Sequence, residues 1–180
     1  MVVMKESLLL LLVLASPAAA GIPETVDPAE IPAYRLLRGD LATAGQPSAE
    51  ALARLGGMGF RTVVNLRTEG EGATTERAVV EAQGLRYVSI PITPDSFSRA
   101  QAEAVEKVLE DPSAGPVLLH CATSNRVGGV WAVIQATKGK SVEEALEAGR
   151  AAGLHSPLVE AAVRRVLGVP ETGPPASVKP

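Results

Sequence analysis

His120-Cys121-Ala122-Thr123-Ser124-Asn125-Arg126 places the only cysteine of the chain and an arginine at the two ends of a short polar loop. Pro116 to His120, just before it, is apolar and short, as a buried strand is. Val127 to Ala136, just after it, is apolar almost all round, as a central helix is. A loop between such a strand and helix turns successive N–H groups toward one point, and the helix N-terminus adds partial positive charge. Both stabilise a thiolate at the start of the loop. Arg126 adds a full charge and a fork that grips two oxygens of an anion at once. A thiolate aimed at an anion held this way is set for nucleophilic attack on phosphorus or sulfur. The competing reading is a small buried cysteine at a strand end beside an unrelated arginine.

The loop's neighbours have roles to offer. His120 either orders the loop by hydrogen bonds and tunes the thiolate, or is a satisfied histidine at a strand end. Ala122, Thr123, Ser124 and Asn125 supply the amides, and Asn125 tolerates a left-handed conformation better than Ser124 does. Breaking a phosphoester calls for an acid to protonate the leaving oxygen. Asp95, in the Pro94-Asp95-Ser96 turn after a strand, is the best candidate, although turns favour Asp for local reasons too. Arg67 and Glu69 leave the Asn65-Leu66-Arg67 strand at the same edge. Arg67 is either a second anion contact or a solvated charge, and Glu69-Gly-Glu-Gly-Ala reads as a flexible acidic loop. His155 reads as a capping residue in a helix–helix turn, and Trp131 as core.

The elements that position these groups follow from local patterns. Tyr34 to Leu41 is a short strand or the start of a hairpin. Ser48 caps a helix on which Leu52 and Leu55 share a face, ended by Gly56, Gly57 and Gly59. Arg61 to Leu66 is a β-branched buried strand. Thr74 to Gln83 is a helix, and Leu85 to Ile90 the next strand. Ser98 with Gln101, and Ser141 with Glu144, are capping boxes for two further helices. Ser156-Pro157 opens the last helix and Gly168 closes it. Strand and helix alternate three times, which predicts an α/β fold with a mostly parallel central sheet flanked by helices. Such sheets bind ligands beyond the carboxyl ends of their strands.

The 180 residues are 46% hydrophobic and 21% charged, which predicts one domain with a sizeable core. Aromatics are only 3%, so the core must be aliphatic and a deep phosphotyrosine slot is hard to build. The net charge of −3 argues against a nucleic-acid partner. One cysteine excludes an internal disulfide framework and multi-cysteine metal sites, and no metal or cofactor is expected. Lys5, the apolar run Leu8 to Ala15 and Ala18-Ala19-Ala20 read as a signal peptide. The run is too short to span a bilayer, which takes about 20 residues. The expected layout is a signal peptide at 1–20, an extended arm at 21–33, one catalytic domain at 34–168 and a Pro-rich tail at 169–180. The mature protein is expected to be exported, periplasmic or secreted, with no stable membrane span.

The Cys-to-Arg loop after a strand resembles the phosphate loop of the protein tyrosine and dual-specificity phosphatase superfamily. The match is closer to a bacterial branch, the phosphatase-like domain of beta-lactamase-hydrolase-like proteins. That resemblance runs from Leu37 to about Gly153 and rests on Gly45-Gln46-Pro47, on Gly59 to Arg67 and on the Cys loop, in that order. It implies a phosphatase-like fold, with Cys121 as nucleophile, Arg126 holding the phosphoryl group and His120 ordering the loop. Tyrosine phosphatases place five residues between Cys and Arg, whereas this chain has four, a spacing that also resembles rhodanese-type sulfurtransferases. Val127 stands where phosphatases often have a hydroxyl that stabilises the departing thiolate, and the usual loop glycine is missing.

Three functions follow. The leading expectation is a cysteine-dependent phosphatase-like hydrolase that acts on a phosphorylated or other anionic substrate through a phosphocysteine. The second is a sulfurtransferase carrying a persulfide on Cys121, and the third an anion-binding module without turnover. Disulfide redox chemistry ranks last, because there is no second cysteine to resolve it.

Overall fold

The computed structural model describes residues 21–169. The signal peptide expected at 1–20 and all but the first residue of the tail expected at 169–180 lie outside the described residues. Five short strands form one sheet in the order β1-β2-β5-β3-β4. They are β1 (Arg35–Arg38), β2 (Leu41–Ala44), β3 (Thr62–Asn65), β4 (Arg86–Ser89) and β5 (Val117–His120). Only the β1–β2 hairpin is antiparallel; the other three pairings are parallel, as the strand–helix alternation predicts. The helices are α1 (Ala49–Leu52), α2 (Ala73–Glu81), α3 (Arg99–Glu110), α4 (Asn125–Thr137), α5 (Val142–Ala151) and α6 (Pro157–Leu167). No helix among the described residues is long and apolar enough to cross a membrane.

The sheet carries a core on each face. One gathers Val63 and Leu118 with Leu52 and Leu55 from around α1 and Val80 of α2. The other gathers Val64, Leu119 and Cys121 with Val105 of α3, Val130 and Val133 of α4, Leu146 of α5 and Val163 of α6. Helix α4 lies against α3, α5 and α6, which is why it is apolar almost all round. Trp131 packs half-buried against this second core. The capping boxes at Ser98 and Ser141 form as the sequence predicts, and Gly168 closes α6 at φ 71°.

Two segments differ from their local reading. Leu41–Ala44 has little branched character, yet all four residues are buried, because β2 is an inner strand paired to β5. Residues 21–33 carry turns and pack into the fold: Ile22 and Ile31 are buried, and Glu30 and Pro32 accept main-chain bonds from Ser48 and Gly45.

Parallel register brings Ala44, His120, Asn65 and Ser89, the last residues of four strands, side by side. The loops that leave them, after β2, β5, β3 and β4, therefore gather at one edge of the sheet. Side chains alternate across a strand, so Leu118 and His120 face the α1–α2 layer, while Leu119 and Cys121 face the α4 layer.

Candidate active site

Cys121 sits at the root of its loop, fully buried, just beyond the end of β5. Ser124 turns the chain, in the left-handed region at φ 68°, and α4 begins at Asn125. The sequence favoured Asn125 for that conformation. Ser124 takes it instead, packed against Gly153 in the α5–α6 turn, where a Cβ on Gly153 would stand 2.1 Å from Ser124 Oγ. Ser124 Oγ donates to the Ala152 carbonyl at 3.2 Å, which ties the turn down. Asn125 is fixed from the same side. Its Oδ1 accepts from the His155 main-chain N–H at 2.8 Å, and its Nδ2 lies 2.9 Å from His155 Nε2. His155 thus does more than cap a helix; it braces the first turn of α4. A groove of about 860 Å³ runs along Arg150, Leu158 and Arg164 and has His155 in its wall.

Among the described residues, the N–H groups of Ala122, Thr123, Asn125 and Arg126 donate to no protein acceptor. With the left-handed turn and the N-terminus of a long helix, they make an anion nest. Thr123 is exposed and Ala122 half-buried, so the nest opens to solvent.

Arg126 is gripped from behind. Glu71 takes a two-point bond from it, Nη1 to Oε2 at 2.8 Å and Nη2 to Oε1 at 2.6 Å. Nη1 also donates to the carbonyls of Ile92 at 2.9 Å and Leu66 at 3.3 Å. These bonds use the Nη1–Nη2 end of the guanidinium. On the Nε–Nη2 edge, which is the other two-donor edge, Nε donates to no oxygen or nitrogen among the described residues, and Nη2 keeps one N–H beyond its bond to Glu71. The hydrogen bond that Arg126 donates to Glu71 raises the Arg126 pKa, burial opposes this, and Cys121 adds to the rise by charge and hydrogen bonding. Arg126 therefore stays a cation beside the thiol.

Glu71 was hidden in what the sequence presented as a flexible acidic loop. Glu69–Glu71 is instead a turn of 3₁₀-helix in which Thr68 and Glu71 form a capping box. The hydrogen bond from Arg126 pulls the Glu71 pKa down to about 2 against the effect of burial, helped by Thr68. Because the folded value lies below the unfolded one, about 4.3, the pair stabilises the fold at neutral pH and is lost as pH falls through about 2. The stability gap between wild type and Glu71→Gln should therefore stay constant from about pH 8 to pH 5 and shrink below that. Thermal midpoints across that range measure it, and a gap that widens in acid would refute the assignment.

The remaining residues named from the sequence spread around this centre. Asp95 is exposed on the turn after β4. The base of that turn is bonded to Arg126 through Ile92, and Arg165 of α6 donates to the Pro94 carbonyl at 2.8 Å. Arg67 is neither free nor fully solvated: its Nη1 bonds Gln46 Oε1 and, at 3.3 Å, Glu76 Oε2. Glu69 is exposed. His120 is buried and bonded to Glu76, with Nε2 2.7 Å from Oε1. Its ring lies on the sheet face opposite the thiol. Glu76 escaped the sequence reading because one acid on a short amphipathic helix looks like solvent-facing charge.

This geometry has counterparts in other proteins. The family of the "Beta-lactamase hydrolase-like protein, phosphatase-like domain" matches residues 33–138, which include β1 to β5 and the Cys loop. Beta-lactamase hydrolase-like proteins of Xylella fastidiosa and Agrobacterium fabrum are each 29% identical, over 60% and 56% of this chain. The matched segment spans about a quarter of those relatives' length, 26% and 24%. The crystal structure of P. aeruginosa TpbA is similar with a TM-score of 0.61 and 27% identity, covering 85% of this chain and 94% of that one. TpbA also has a crystal structure in complex with pTyr. With more than half of its residues matched, including the strand, the loop and the central helix that hold Cys121 and Arg126, the chain belongs to the beta-lactamase hydrolase-like phosphatase-like domain family.

Proposed function

We propose that this protein is a cysteine-dependent phosphatase that hydrolyses a phosphoester through a phosphocysteine. The observation that carries the reading is the pairing of Cys121 with an anion nest and with the open edge of Arg126. The nest amides and the Nε–Nη2 edge hold the phosphoryl oxygens and gain strength as charge builds on them. The Cys121 thiolate attacks phosphorus; the S–P bond forms and the P–O ester bond breaks. Asp95 gives its proton to the leaving oxygen. Water then attacks phosphorus, the S–P bond breaks and the thiolate returns.

The test is turnover of a generic aryl phosphate by the purified protein, with a parallel assay on thiosulfate plus cyanide. Aryl phosphatase activity supports the reading, and its absence alongside thiocyanate production overturns it. The four-residue loop favours that second reading, in which Cys121 takes the outer sulfur of thiosulfate, releases sulfite and passes the sulfur to cyanide.

The role of Asp95 has its own signature. Asp95→Asn should slow esters with poor leaving groups on the order of 10²-fold, and aryl phosphates far less, since only the former need the proton. Rates across a series of leaving groups would show it. An equal loss for both classes would make Asp95 a structural residue, and a leaving-group dependence found only in Glu69→Gln would move the acid there.

A further inference from the structure

His120 and Cys121 are adjacent in sequence but stand on opposite faces of the sheet, so the imidazole has no direct path to the thiol. Whatever His120 does for the loop passes through the main chain. Its ring is held by Glu76, which is 2% exposed at the side chain. The other ring nitrogen, Nδ1, is buried and meets no partner among the described residues, so the ring's orientation depends on the Glu76 bond.

Glu76 receives four donors. His120 Nε2 at 2.7 Å and Asn65 Nδ2 at 3.1 Å meet Oε1; Gln46 Nε2 at 2.9 Å and Arg67 Nη1 at 3.3 Å meet Oε2. Asn65 Nδ2 is itself bonded to Tyr87 Oη, which donates to the Ala73 carbonyl. Burial pushes the Glu76 pKa up, but the His120 hydrogen bond and charge, with Gln46 and Arg67, more than reverse this and leave it lowered. The donors come from the ends of β5 and β3 and from the loops after β3 and β2. One carboxylate thus ties together the edge of the sheet from which the Cys loop leaves.

Gln46 closes the circuit. Its main-chain N–H donates to the Ala122 carbonyl at 3.1 Å, and its neighbour Gly45 pairs with Thr123 as an isolated bridge. Gly45 is squeezed there: a Cβ would stand 3.1 Å from the Pro32 carbonyl oxygen and 3.2 Å from that of Ala122.

We propose that Glu76 is a positioning residue that clamps the Cys121 loop at two points, at its root through His120 and at Ala122 through Gln46. The clamp keeps the loop amides aimed at one point, so that they need not reorganise as charge develops on the phosphoryl group. Its effect on turnover rests on the phosphatase reading; its effect on the loop does not. The pair of variants to compare is Glu76→Gln and Gln46→Ala. A glutamine at 76 turns an N–H₂ toward donors on one side or the other. An alanine at 46 removes the side-chain link and leaves the main-chain bond to Ala122.

Hydrogen–deuterium exchange read without substrate should show the amides that tie the loop down, Cys121 N–H on the Ala44 carbonyl and the residue-46 N–H on the Ala122 carbonyl, exchanging roughly tenfold faster in both variants, with β3 and the body of α4 unchanged. In the phosphatase assay kcat should fall by roughly 10²-fold in Glu76→Gln, as for a reacting group displaced by about 1 Å, and less in Gln46→Ala. Exchange confined to the loop supports the clamp. Loop exchange equal to wild type, or acceleration spread over the whole chain in Gln46→Ala, overturns it. If Glu76→Gln does not fold, Gln46→Ala decides alone. If the wild type turns over no phosphoester, the exchange result still stands and only the proposed activity fails.

Discussion

Cys121→Ser is expected to lose aryl phosphate turnover by roughly 10⁴-fold or more while keeping its fold and its affinity for inorganic anions. Sulfur is the expected reacting atom because it sits at the root of an anion nest beside the Arg126 cation. A serine hydroxyl does not ionise there, and among the described residues no base is placed to activate it. The nearest histidine in sequence, His120, has its ring on the other face of the sheet and engaged with Glu76. Because the thiol is fully buried among core side chains, an atom-for-atom exchange alters little packing. The donors that grip the anion, the loop amides and the guanidinium, are untouched. Steady-state turnover gives the first half of the result, and vanadate binding by calorimetry the second. Turnover of the serine protein above about one hundredth of wild type would place the nucleophile elsewhere.

Gly128→Ala is expected to have the largest effect on stability. Gly128 lies on α4 where that helix crosses α5 and the turn into α6. A Cβ at this position would stand 2.2 Å from Leu154 N and 2.5 Å from the Gly149 carbonyl oxygen. Both are main-chain atoms, so no side-chain rotation relieves the clash. Gly149 faces it closely from α5: its own Cβ would meet the Gly128 carbonyl oxygen at 2.7 Å. Forcing the helices apart costs about 3 kcal/mol or more, roughly 6–12 °C in Tm for a chain of this size. The damage reaches the site, because the turn displaced from Gly128 also seats Gly153 against Ser124 and His155 against Asn125. Gly129→Ala is the informative control, since the three atoms nearest its Cβ would belong to side chains, those of Val159, Val163 and Phe97, and not to main chain. Thermal melts of both variants measure the difference, and equal midpoints would sink the crossing argument.

Much of this protein is written in local sequence. The Cys loop lies between β5 and α4 because a short apolar run, a polar loop and a long apolar helix are neighbours in the chain. Capping boxes and a C-terminal glycine are contiguous patterns, so the limits of α3, α5 and α6 were legible without neighbours. The parallel sheet followed from the alternation of those elements, and the placing of Cys121 and Arg126 at its carboxyl edge from their position between β5 and α4.

Tertiary structure decided which groups act on one another. Glu71 and Glu76 looked like ordinary surface acids, and only folding sets one on Arg126 and buries the other under His120. The left-handed Ser124 packs against Gly153, which no local propensity connects to the loop. Arg67, open in sequence to either solvent or an anion, was claimed by Gln46 and Glu76. The physical reason is common to all of them. Backbone hydrogen bonds and hydrophobic periodicity act between near neighbours and leave a pattern in the chain. The partner of a charge or the space beside a glycine is set by which strand ends and helices meet, and that depends on the whole packed sheet.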